Sequence, residues 1–191
     1  MYAKNAVLYR NGGNFYNHCY SSDSYYGNLP KSWLLTTVEK SCILLSERDL
    51  SSDKYDNNSQ NSTPYITGAS NFHNGQITTD GYTKFPQVIA QKNDLLITVK
   101  GTIGELAILK LEKAHIARQI MAIHPLAIDT QYVFLVLKNS IEQLKQQAQS
   151  MIPGISRNVL LKSEIPLPPI SEQRQICQTI SLIDSQLQKL S

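Results

Sequence analysis

Arg118 beside Gln119, and Arg157 beside Asn158, are side-chain types that can form paired hydrogen bonds to base edges. A guanidinium suits guanine and a carboxamide suits adenine. For either pair alone, hydrogen bonding at the surface or at the rim of the core is the commoner use. Lys100, Gly101, Thr102, Ile103 and Gly104 form a glycine-punctuated turn between two apolar runs. Such a turn lets backbone N–H groups approach a phosphate, with Lys100 adding charge and Thr102 a hydroxyl. A plain tight turn is its default reading. It does not open a helix and no Gly-Lys-Ser/Thr follows, so it is no nucleotide cradle. Asn71, His73 and Lys84 lie in or beside polar turns where a recognition loop would sit.

Bond-making chemistry is harder to place. Pro168-Pro169 invites comparison with the base-holding loop of amino-methyltransferases, which needs Asn or Asp before the prolines and an aromatic after them. Leu167 and Ile170 occupy those places, and no glycine-rich strand-to-helix turn is present for a nucleotide cofactor. No Asp or Glu is followed two places later by Lys, the arrangement of a common metal-dependent nuclease core. His73, His115 and His124 lack ligand spacing. Cys19, Cys42 and Cys177 are scattered and odd in number, which suits reduced thiols. We expect a non-catalytic chain with no cofactor and no metal.

The formal net charge of +3 over 191 residues is modest, but from Lys84 to Lys162 there are ten Lys or Arg against five Asp or Glu. A basic face would attract phosphates, although scattered solvated charge is the usual outcome of so small an excess. The longest apolar run, Tyr132–Leu137, is far short of a membrane span, and the start lacks a signal-peptide core. No membrane partner and a cytoplasmic location are expected. Residues 1–28 hold six of the ten tyrosines among Asn, Ser and Gly, without periodicity, and read as a leader or linker.

The elements that must position these residues follow from patterning. Trp33 should belong to the core, with Thr36–Val38 extended after it. A polar loop over 51–63 precedes a strand from Pro64 to about Gly68, and Gly75 and Asp80-Gly81 turn the chain around a short strand at Ile77. Gln87–Ala90, Leu95–Val99 and Leu106–Leu111 are strands. Asp129 caps a helix over 132–138, and Ser140 begins a second helix carrying Ile141, Leu144, Ala148 and Met151. Pro153-Gly154 stops it, and 158–163 crosses over. The fold class is α+β, a mixed, twisted β-sheet domain with short helices and a C-terminal helix.

Pro166, Pro168 and Pro169 stiffen the chain ahead of that helix, which cannot be helical or a central strand there. Ser171 is the expected N-cap, with Glu172 in the first turn. Ile176, Ile180, Ile183, Leu187 and Leu190 then recur at steps of four, three, four and three, a heptad seam suited to antiparallel coiled-coil pairing. A helix lying along its own domain gives the same stripe.

Strap and helix resemble the junction in the specificity subunit of type I restriction-modification enzymes, through Pro168, Pro169, Glu172, Gln173, Arg174 and Ile176. LPKSW (29–33), DLLITVKGTIGELAIL (94–109) and PGISRNVLLKSEI (153–165) resemble the same family in the same order. The resemblance implies a leader over 1–28, a target-recognition domain over 29–169 and a spacer helix over 170–191, in a half-length subunit or a fragment. It implies sequence-specific binding of double-stranded DNA, reading one half of a bipartite target. The helix would pair with a second recognition half or a second copy, and dock modification (methyltransferase) subunits and through them the restriction subunit. The rival readings are a protein-interaction adaptor that has lost base reading and a fragment of a fused restriction-methylation enzyme.

Overall fold

The computed structural model describes residues 25–27, 29–46, 50, 54–56, 59–147 and 154–190. Among the described residues the first elements are β1 (Leu34–Thr37), a single helical turn α1 (Val38–Ser41) and β2 (Cys42–Ser46). β3 (Thr63–Ile66) follows, then a 3₁₀ turn over Ala69–Asn71 and two short strands, β4 (Phe72–His73) and β5 (Gln76–Ile77). β6 (Tyr82–Thr83), β7 (Ile89–Gln91), β8 (Leu95–Thr98) and β9 (Leu106–Ile108) come next. β10 (Lys113–Ile116) and β11 (Ile120–Pro125) lead into α2 (Thr130–Gln147), α3 (Arg157–Leu161), β12 (Glu164–Leu167) and α4 (Ile170–Leu190).

Two four-stranded sheets carry the domain, in the orders β2-β11-β8-β9 and β6-β3-β10-β7; β1 pairs with β12 in a separate ribbon, and β4 with β5. Among the described strands only β3 and β10 run parallel, so the α+β, mixed-sheet expectation holds. The first sheet is sandwiched. Leu95, Ile97, Val99, Met121 and Ile123 face a core shared with α2, while Leu96, Ile120 and Ala122 face a second core shared with Ile66, Ala114 and Ile116 of the other sheet. Burial on both faces explains LLITV and IMAI, near-continuous apolar runs where a half-exposed strand would alternate.

Several local expectations are corrected. The two helices expected over 132–151 are one, α2, of 18 residues. Ser140 is buried inside it, its hydroxyl donating to the carbonyls of Val136 and Leu137 rather than capping. Asp129 does cap, accepting from the N–H groups of Gln131 (2.9 Å) and Tyr132 (3.2 Å). Ala148 and Met151 lie outside the described residues. The 158–163 crossing is largely the short helix α3, with Ser156 Oγ accepting from Val159 N. α4 begins two residues earlier than the expected cap implies: the carbonyl of Pro169 accepts from the N–H groups of Glu172 and Gln173, so Ser171 lies within the first turn instead of capping it. Val38 belongs to α1 rather than a strand.

Candidate nucleic-acid interface

The central sheet brings three loops to one end. β8 ends where β11 begins, Thr98 opposite Ile120, and β2 ends there too, Ser46 opposite Met121. The turn over 99–105, the 117–119 turn and the loop after β3 therefore converge. Gln119 joins them. Its carbonyl accepts from Val99 N (2.8 Å), and Ala117 N donates to Ile66 O (2.9 Å) alongside. A Cβ on Gly68 would stand 2.7 Å from Gln119 Oε1, and one on Gly101 3.5 Å from it, so the Gln119 side chain reaches both loops.

Each loop is built to hold its shape. In the 99–105 turn, Gly101 (φ +70°) and Gly104 (φ +91°) take the left-handed region that side chains disfavour. Thr98 closes the turn: its carbonyl accepts from Gly104 N (2.8 Å) and its hydroxyl from Glu105 N (2.9 Å). Lys100 and Thr102 are exposed on this turn. After β3, Asn71 is buried and its carboxamide is engaged at both ends. Oδ1 accepts from Thr67 N (2.9 Å) and Gly68 N (3.3 Å), and Nδ2 donates to Thr78 O (3.0 Å). Asn71 thus shapes the loop. His73 is exposed on β4 and, with Thr102, Asn74 and Glu105, lines an open depression of about 480 Å³.

Of the residues singled out in the sequence, Asn71, His73, Lys100, Thr102, Arg118 and Gln119 share this end. Arg157 flanks it, its guanidinium donating to Ser46 Oγ (3.0 Å) and to the Leu44 carbonyl (2.9 Å). Lys84 stands apart: the preceding residue Thr83, the last of β6, lies opposite Thr63, at the far end of β3, and Lys84 pairs with Asp56 at 3.1 Å. Asn158 faces a cleft of about 390 Å³ between α2 and α3, with Tyr25, Tyr26 and Lys162. Sequence reasoning missed Lys145. Its Cε would be 2.7 Å from a Cβ on Gly104, which brings the end of α2 onto the 99–105 turn, and its Nζ pairs with Glu142 at 2.9 Å. The only sequence signal for it was helical periodicity, which gives a face but not what that face meets.

The titratable groups elsewhere are structural. The carboxylate of Asp94, 1% exposed, contacts His124 Nδ1 at 2.6 Å and accepts from Gln91 N at 2.8 Å, closing the turn before β8. Burial pushes the Cys42 thiol up to about 11 and the Tyr26 hydroxyl up to about 12, and it raises Tyr132 and Cys177 as well. These groups are held protonated, the wrong state for a nucleophile. Among the described residues no group of three or more His, Cys, Asp or Glu could hold a metal ion. Nor is any described helix long and apolar enough to cross a membrane.

At the opposite end of the sheet α4 departs. Ile176 and Cys177 pack on the core around α2, and Ile180 is half-buried. Beyond it every residue from 181 to 189 is exposed, Ile183 at 50% and Leu187 at 59%. The helix is a projecting rod rather than a stripe consumed by its own domain. The side chain of Leu190 lies outside the described residues.

Residues 42–190 match the sequence model of the type I restriction modification DNA specificity domain. The chain belongs to this family. It is 28% identical over 165 residues to a Methanocaldococcus jannaschii protein named for the MjaX type I restriction enzyme specificity subunit, covering 83% of this chain and 38% of that protein. The fold resembles the HsdS subunit from Thermoanaerobacter tengcongensis (TM-score 0.77, 24% identity, 86% of this chain and 40% of that one). It also resembles a chain from a structural study of complex assembly and conformational transition of the type I R-M system (TM-score 0.78, 24% identity, 86% and 41%). The S subunit from M. genitalium is more distant, at TM-score 0.61 and 20% identity over 83% of this chain and 40% of that one. This specificity-domain chain spans about two fifths of the length of the relatives it matches.

Proposed function

We propose that this chain is a non-catalytic recognition head and rod: residues 29–169 read one half of a bipartite DNA target, and 170–191 form the spacer helix, with 1–28 leading in. The observation that carries the reading is the division of labour along the central sheet, with polar loops gathered around Gln119 at one end and an exposed heptad helix at the other. Lys100 and Thr102 would contact phosphates, Arg118, Gln119 and His73 the base edges, with Asn71 and Arg157 holding the loops that present them. Lys84 and Asn158 would add contacts outside this group. Ile176 and Ile180 root the rod, and Ile183, Leu187 and Leu190 would pair with a second recognition half or a second copy. The same rod would dock the modification subunits, and through them the restriction subunit.

Filter binding to a pool of random duplexes at stepped salt tests this. We expect enrichment of one short half-site and an affinity that falls steeply with salt. Failure to retain any duplex at low salt would overturn DNA recognition in favour of a protein-interaction adaptor.

A further inference from the structure

The root of α4 is fastened more tightly than packing alone requires. Gln173 is 2% exposed and both ends of its carboxamide are engaged: Oε1 accepts from Asp129 N (3.0 Å), and Nε2 donates to the Pro168 carbonyl (2.9 Å). Trp33, expected in the core, is instead half-buried at this joint, its indole N–H donating to Glu172 Oε1 (3.1 Å). The Tyr132 hydroxyl donates to the Pro166 carbonyl (2.8 Å), and β1 holds β12 in register, Leu34 opposite Leu167. A helix held only by an apolar stripe can roll and tilt at little cost, because hydrophobic contact is non-directional. A buried carboxamide bonded at both ends resists both motions, since breaking either bond leaves a buried polar group unpaired.

The loops around Gln119 lie at the other end of the sheet from this joint. β11 alone, six residues at about 3.4 Å each, sets a lever of about 20 Å. Tilting the head by about 10° on that lever moves the loops by about 3.5 Å, close to the rise of one base pair, about 3.4 Å.

We infer that Glu172 and Gln173, with Trp33, are positioning residues that fix the exit angle of the rod and thereby the spacing tolerated between two half-targets. This rests on the reading of the chain as one head of a paired recognition unit. With the joint locked, two paired heads accept one spacing; with it loosened, each head swings enough to reach its neighbour spacings.

The test uses the full chain and duplexes carrying two inverted copies of its selected half-site, separated in single base-pair steps across one helical turn. Wild type should favour one spacing by about tenfold or more over its neighbours. Gln173→Leu and Glu172→Ala should flatten that preference to about twofold while single half-site affinity stays within about twofold of wild type. Glu172→Gln keeps the acceptor for Trp33 and should restore the sharp profile. Glu172 is partly exposed, so its variants report even if Gln173→Leu fails to fold. A profile as sharp in Glu172→Ala as in wild type overturns the inference, as does joint loss of half-site affinity and spacing preference. A wild-type chain with no spacing preference would instead sink the paired-head reading itself.

Discussion

Ile183→Asp separates a pairing seam from a helix that merely decorates its domain. Ile183 keeps 50% of its surface exposed and lies beyond the last residue of α4 that packs on the head. Fully burying such a side chain is worth about 1.5–3 kcal/mol, so covering the exposed half contributes about 0.75–1.5 kcal/mol, and twice that in a symmetric pair. Aspartate removes this gain and sets a carboxylate against apolar side chains on each chain, at about 1 kcal/mol or more apiece. The sum, about 3.5–5 kcal/mol, corresponds to a dissociation constant weakened by roughly a few hundred to a few thousand fold. Sedimentation equilibrium over a concentration series reads it, and thermal melting of the monomer should stay within about 1 °C of wild type because no core contact is lost. Ile176→Asp is the contrast: Ile176 packs on the core, so this substitution should lower the melting temperature of the head itself. An unchanged oligomeric mass for Ile183→Asp would refute the seam.

Lys100→Ala should reduce the slope of log affinity against log salt by about 0.9, the mark of one lost phosphate contact, whereas Arg118→Ala should weaken binding to the selected half-site at a nearly unchanged slope, the mark of a base contact. Gly104→Ala combines φ +91° with a Cβ 2.7 Å from Lys145 Cε and 2.9 Å from Ile141 Cγ1, and should cost about 1–3 kcal/mol in urea denaturation. Gly75→Ala, at φ +77° with open space around it, should cost no more than about 1 kcal/mol. Cys42, its thiol raised to about 11, should resist alkylation at pH 8 until the domain unfolds. Because the folded state holds that proton more tightly than the unfolded one, stability should decline as pH climbs from about 9 towards 11, which pH-stepped denaturation would detect.

The parts of the fold legible in the sequence were those with local signals. Leu95–Thr98, the turns at Gly75 and Gly101, the Asp129 cap and the proline strap each follow from residues a few positions apart. β10 and β11 are not legible in the sequence: KAHI alternates over only four residues and buries a histidine on its polar side, IMAIHP shows no alternation, and the strands they pair with come from distant segments. Trp33 was misplaced for the same reason: its partner Glu172 is 139 residues away, and nothing in LPKSW points to it. At the interface, residue type identified Gln119 and Lys100 as candidates. Convergence of their loops depends on the pairing of β2, β11 and β8, which the sequence alone does not display. Pairing of β6 with β3 in the other sheet sets Lys84 apart from the group.

The merging of two expected helices into α2 bears on how the molecule works as much as on how it is read. A break at Ser140 would have put a hinge between the cap at Asp129 and the cation at Lys145. As one helix of 18 residues, α2 spans about 27 Å. Its cap residue Asp129 and, in its first turn, Tyr132 hold Gln173 and Pro166 at the root of the rod. Its last turns lay Ile141 and Lys145 over Gly104 in the loop that presents Lys100 and Thr102. Buried Ser140 returns its hydroxyl to the helix's own carbonyls, so the middle is satisfied without a break. The loops around Gln119 and the root of α4 are therefore joined by two stiff members, α2 and β11, which share one core through Val133, Leu137 and Ile123. Force applied at one end reaches the other as rotation of a solid body, because close-packed interiors transmit strain rather than absorb it.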